Sequence, residues 1–203
     1  MHVWRVSSRN PRATRLIGLA FWQVRCMPSV IRGECAPWQS TCISRDMHDD
    51  LLRRLNGVLE RIEHATVATV SADGRPWNTP VFFARHGMSL YWLSRRDAQH
   101  SINIERNGRA FIVVFDSSRE DADGACVYLE ADVAALTADA EICEALERIY
   151  RRRQKPMPSP GQLSPGSPHA IYHARAVRVW SNVLHTSEEI PWDERVELNT
   201  SET

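Results

Sequence analysis

From Met47 to His64 the apolar positions recur at helical spacing. Leu51, Leu55, Val58 and Ile62 fall at i, i+4, i+7 and i+11, with Leu52 and Leu59 widening the stripe, while Arg53, Arg54, Glu60, Arg61 and Glu63 take the other side. The period then drops to two. Ala65–Ser71 is small and β-branched, and Ser71-Ala-Asp-Gly74 is turn chemistry. The stretch 75–85 alternates, with Trp77, Thr79, Val81 and Phe83 on one face and Asn78, Pro80 and Phe82 on the other. Pro80 has no amide to give a ladder, so this strand is expected to be bulged or at an edge. After Arg85-His-Gly87, the segment Met88–Leu93 returns, which predicts a three-strand meander.

Asp97–Arg106 is a short helix with Asp97 placed as N-cap. Ala110–Phe115 is apolar throughout, as expected of a strand buried on both faces. Val127–Leu136 is another strand, after a polar loop at Ser117–Gly124. Thr137 is placed to cap a helix striped by Ile142, Leu146 and Ile149 and ending in Arg151-Arg-Arg153. Those arginines read as a solvated last turn, with nucleic-acid contact as the lesser alternative. Pro156–Pro168 is a Pro-rich loop or lid, Ala170–Leu184 a long strand, and Glu194–Leu198 a short last one. Six or seven strands with about three helices predict a mainly β (α+β) chain, an antiparallel barrel with helices at its rim.

Charge changes the picture at the start of the chain. The 203 residues balance 25 basic against 25 acidic side chains. Residues 1–46, however, carry seven arginines against Glu34 and Asp46, a net +5, which leaves 18 basic and 23 acidic residues, or −5, for 47–203. The first 46 residues hold neither period for a useful length. A targeting peptide, a disordered arm and a non-native extension ahead of a natural start at Met47 all fit; the abrupt change of composition favours the last. The expected organisation is therefore a disordered or non-native extension at 1–46 and one domain at 47–203.

The balanced charge argues against a general polyanion surface, hence no nucleic-acid partner, and no run reaches the roughly 18 apolar residues of a membrane span. A cytoplasmic protein is expected. Five cysteines without a CxxC pair argue against a disulfide framework or a zinc knuckle. His169 and His173 share a face if extended, which is weak metal evidence, so no metal is expected.

Candidate chemistry gathers at Leu93-Ser-Arg-Arg-Asp-Ala-Gln-His-Ser101. A strand ends there and a helix begins, so first-turn amides and the helix dipole favour an anion. Ser94, Arg95, Arg96, Gln99, His100 and Ser101 surround that point as a phosphate cradle; the competing reading is a capped helix with solvated arginines. Trp77, Phe82, Tyr91 and Trp92 are either an aromatic substrate slot or core packing.

The order Asp73-Gly-Arg-Pro-Trp-Asn-Thr-Pro-Val-Phe-Phe83, Leu90-Tyr-Trp-Leu-Ser94, Ala98-Gln-His-Ser-Ile-Asn-Ile-Glu-Arg-Asn-Gly-Arg109 and Ala110–Phe115 resembles the FMN-binding split barrels of the pyridoxamine 5′-phosphate oxidase-like family. The resemblance covers about residues 50–136, and more loosely Arg178-Val-Trp-Ser-Asn182 with Asp193-Glu-Arg195. It implies a six- to seven-stranded antiparallel split β-barrel with Greek-key character. It also implies a homodimer with FMN at the subunit interface and a small-molecule substrate. Thr79, Val81 and Phe82 would then run beside the isoalloxazine. Ser94, Gln99 and His100 would hold the phosphate, and Trp180 and Ser181 would reach the flavin from the partner chain. Gln99, His100, Thr79 and Ala84 stand where the oxidase carries cations, which implies the wider family rather than the vitamin B6 oxidase itself. The alternatives are the deazaflavin F420 on the same fold, with Arg95 and Arg96 serving its acidic tail, or a non-catalytic binding module.

Overall fold

The computed structural model describes residues 43–117, 126–158, 166–185 and 192–200. The expectations for 1–42, for most of the loop after Ser117 and for most of the Pro-rich loop lie outside the described residues. Helix α1 (Arg45–Arg61) starts two residues ahead of Met47, because the Ser44 side chain accepts the amide of Met47 at 3.3 Å and caps it. Ile43 already packs on the core. Leu51, Leu55, Val58 and Leu59 are its buried face.

Eight antiparallel strands follow: β1 (His64–Val70), β2 (Pro76–Phe82), β3 (Ala84–His86), β4 (Ser89–Arg95), β5 (Arg109–Phe115), β6 (Cys126–Ala135), β7 (His169–His185) and β8 (Trp192–Leu198). Helix α2 (Gln99–Asn107) lies between β4 and β5, and α3 (Asp139–Arg153) between β6 and β7. The strand order is β2-β1-β5-β6-β7-β4-β3, with β8 also on β7. Strands β2 and β3 stand at opposite ends of that path, yet Phe83 alone separates them in sequence. The path must curl until its ends meet, which makes a barrel with a split rather than an open sheet. The predicted meander is therefore broken. The predicted strand over 75–85 divides at Phe83: β2 pairs with β1 and β3 with β4, while the other edge of β4 takes β7, Ser94 opposite Ala170. Pro80 lies on an edge strand, as expected, with β1 as its single neighbour.

The barrel interior is built from alternate residues, among them Val67, Ile112, Val114, Val127, Leu129 and Val179, closed by Leu55 and Leu59 of α1. A second cluster joins Ala145, Leu146 and Ile149 of α3 to Ala84 and Ile171, with Phe82 and Tyr91 against it. β5 departs from expectation. Ala110, Ile112 and Val114 are buried, but Phe111 and Val113 are half-buried and Phe115 is 51% exposed. Its second face runs beside cross-strand neighbours, with Val113 beside Tyr128 and Tyr128 beside Trp180, and Arg195 lies 5.8 Å over the Phe111 ring.

Phe83 is held where the path closes. Its amide donates to the Glu63 carbonyl at 3.1 Å, and the Arg152 guanidinium lies 4.5 Å over its ring. One nitrogen of Arg152 also donates to the carbonyls of Leu59, Glu60 and Ile62, terminating α1. Arg152→Ala leaves these carbonyls without the guanidinium and is expected to cost about 2–4 kcal/mol in urea unfolding, with Arg152→Lys recovering only part of it because an ammonium is not a planar group that can lie over the Phe83 ring.

Candidate functional site

The corner between β4 and α2 is built as follows. β4 ends at Arg95, and Ala98 is the N-cap of α2 with extended backbone and no side-chain cap. Asp97 does not cap. It receives Arg95 Nε at 2.8 Å and Arg95 Nη2 at 2.6 Å, a bidentate pair that outcompetes a neutral amide for the carboxylate. Thr137 likewise fails to cap α3, whose N-cap is Ala138. Arg96 faces the 166–168 turn: its amide donates to Pro168 and its Nε to Ser167. The two arginines expected to grip an anion therefore have intrachain partners. The first-turn amides of α2 are left without a side-chain acceptor, and no acidic residue lies in that turn.

Behind the arginines the corner is buried and polar. His100 is 4% exposed and Ser101 fully buried; His100 Nε2 and Ser101 Oγ have no hydrogen-bond partner among the described residues. Buried polar atoms rarely stay orphaned, and a bound acceptor would satisfy both. Gln99, half-buried, donates to Asn103 Oδ1, and Asn103 Nδ2 donates to Thr69 on β1, both at 2.9 Å. This relay ties the helix start to the barrel. The sequence reading passed over it, although Asn103 beside Ile104 on the apolar stripe was the available signal. Tyr172 of β7 lies edge-on to His100 at 6.4 Å and stacks on Trp92 at 5.7 Å. Ser94 is half-buried at the end of β4.

The remaining named residues are spread over three places. Thr79 is half-buried on the face β2 shares with Thr69, and its hydroxyl accepts Trp77 Nε1 at 2.9 Å. Val81 is on that same face and buried in the core. Phe82 points to the opposite face, into the α3 cluster, with Arg153 4.6 Å over its ring. Trp180 is on the outer sheet face against Phe111 and Arg178, while Ser181 is fully buried with an unpartnered Oγ. The four aromatics proposed as a slot do not form one. Trp92 is core, Tyr91 stacks on His173 at 4.7 Å, Phe82 belongs to the α3 cluster and Trp77 is 47% exposed. Among the described residues no cluster of His, Cys, Asp and Glu could hold a metal, and no helix is long and apolar enough to cross a membrane.

Burial holds the His100 imidazole below its ordinary value of 6.5, and burial does the same for His173. Both rings are therefore neutral at pH 7 in the native state. A lowered native value means the unfolded chain binds more protons, so stability is undisturbed above about pH 6.5 and declines as the pH falls from there. Unfolding midpoints of the ligand-free chain are expected to drop between pH 6.5 and 5, and His100→Gln to flatten part of that slope.

Residues 51–181 match the family model described as Pyridoxamine 5'-phosphate oxidase. A search of curated proteins finds no match. Solved structures with the same fold include HutZ, the heme storage protein from Vibrio cholerae, at 17% identity over 72% of this chain and 94% of that one, TM-score 0.54. A Bacteroides thetaiotaomicron protein named for 5-nitroimidazole antibiotic resistance aligns at 15% identity over 63% and 80%, TM-score 0.54. Campylobacter jejuni ChuZ aligns at 10% over 75% and 64%, TM-score 0.56. Identities this low establish likeness of fold. The family match spans well over half of the sequence, from α1 through β7, and the chain belongs to the pyridoxamine 5'-phosphate oxidase family.

Proposed function

We propose that this chain is an FMN-binding oxidoreductase acting on a small molecule as a homodimer, with the FMN phosphate at the β4–α2 corner. The observation that carries this reading is the pair of buried, unpartnered donors, His100 Nε2 and Ser101 Oγ, at a helix start with no cap. Ser94, Gln99, the first-turn amides, His100 and Ser101 would supply hydrogen bonds to a phosphate. Fixed positive charge is scarcer. Arg95 would have to exchange Asp97 for the phosphate, and Arg96 would have to leave Ser167. The donor set fits a terminal phosphate, and neither arginine is free for the longer acidic tail of a deazaflavin. When bound, the group supplies hydride transfer; the protein's part is to seat it and exclude water.

Trp180, on the outer sheet face, supports the two-chain arrangement; Ser181 is fully buried in its own chain, so its side chain would not reach a second copy. Ala170 pairs with Ser94 at the corner, and Trp180 lies ten positions along the same strand, roughly 33 Å of extended chain. Trp180 would meet a flavin at the corner of a second copy. The apolar face of Phe111 and Val113, half-buried, and Phe115, exposed, supplies surface for that copy. Purified protein is expected to show the visible absorption bands of bound flavin and the mass of a dimer by light scattering. Phe115→Glu, at a 51% exposed position, is expected to yield monomer and to release flavin. A colourless protein that takes up no added FMN would refute the reading.

A further inference from the structure

Away from the corner, a cavity of about 550 Å³ opens among the C-terminal half of α1, the β3–β4 hairpin and the C-terminal half of α3. Arg85, Arg148, Arg151 and Arg152 line it, and Glu60 is the one carboxylate among the described residues of its wall, which leaves a formal charge of +3 (four less one). Glu60 is occupied, since Arg85 Nε and Nη2 both donate to it and hold it below the usual carboxylate range. Arg85 Nη1 is fixed by Asn56 at 2.9 Å. Arg152 is pinned by the α1 carbonyls, with the like charge of Arg85 nearby. Arg148 has no hydrogen-bond or ion-pair partner among the described residues, and Arg151 has a single ion pair, with Glu147 on its own helix at 3.9 Å. Two guanidiniums are thus rigidly placed and two are available, around a concavity of ligand size.

We propose that this cavity is a second binding site, independent of the flavin reading, for a small polyvalent anion carrying a phosphate or clustered carboxylates. Arginine forks match both groups bidentately, and a cleft lined with one sign of charge concentrates the opposite one. A nucleic acid fits less well. It would extend past the cavity over a chain whose residues 47–203 hold 18 basic and 23 acidic side chains.

The test is calorimetric titration of the full chain with pyrophosphate and, separately, citrate. Saturable binding of one per chain is expected, weakening with salt. The tighter of the two identifies phosphate or carboxylate as the preferred group. Arg148→Gln with Arg151→Gln should weaken it at least about tenfold without moving the ligand-free unfolding midpoint, while Arg53→Gln, outside the cavity, should not. Amide NMR shifts in the wild type, which need no variant, should centre on Asn56 and Gly87. The proposal is overturned by no saturable binding of either probe, by equal affinity in the double variant, by shifts centred on residues 94–101, or by an oligonucleotide outcompeting both.

Discussion

Replacing His100 by Asn together with Ser101 by Ala is expected to weaken FMN about a hundredfold and riboflavin by less than about threefold. The reasoning rests on what the two side chains lack. Each presents a buried polar atom without a partner. Each would gain a hydrogen bond to a charged acceptor on binding, worth roughly 1.5–3 kcal/mol. Riboflavin has the same ring system and no phosphate, so it is blind to that gain. The ratio of the two affinities also cancels any fraction of the variant that is misfolded. Ser94→Ala should act in the same direction and less strongly. Arg95→Ala is expected to have a smaller effect than the buried pair, because its guanidinium must first give up Asp97.

Trp92→Ala is expected to cost about 3–5 kcal/mol, measured as a lower urea midpoint at unchanged slope. Trp92 is 1% exposed and is the platform on which Tyr172 stacks, and Tyr172 in turn borders His100. Truncation there opens a cavity beneath the corner, so FMN binding should weaken as well. Trp92→Phe should cost much less, about 1–2 kcal/mol, since it also removes an indole N–H that is buried without a partner. Equal losses for the two variants would contradict this, because they would mean that the bulk of an aromatic ring at this position recovers nothing.

Local signals in the chain carried the strands well. The alternation over 75–85 placed Thr79 and Val81 on one face and Phe82 on the other, and Pro80 marked an edge; all of this is seen. What failed was non-local. Both hairpins are local, β1 with β2 and β3 with β4, but nothing near Phe83 indicates that the alternating run divides there into strands at opposite ends of the sheet path, or that the other edge of β4 takes β7, far along the chain. β5 shows the limit of composition. An apolar run predicts burial on both faces, but the alternate residues Phe111, Val113 and Phe115 are half-buried or exposed, and apolar composition alone does not separate the two faces. At the corner, the hydroxyl, amide and imidazole were legible as a group. Their burial was not, nor was the diversion of Arg95 to Asp97, because a residue's competing partner two positions away is a matter of rotamer rather than pattern.

The proposed function depends above all on a phosphate bound where β4 passes into α2. Calorimetric titration of the wild-type chain with FMN and with riboflavin tests it most directly. FMN is expected to bind more than about a hundredfold tighter than riboflavin, at one per chain. Indistinguishable affinities for the two would contradict it.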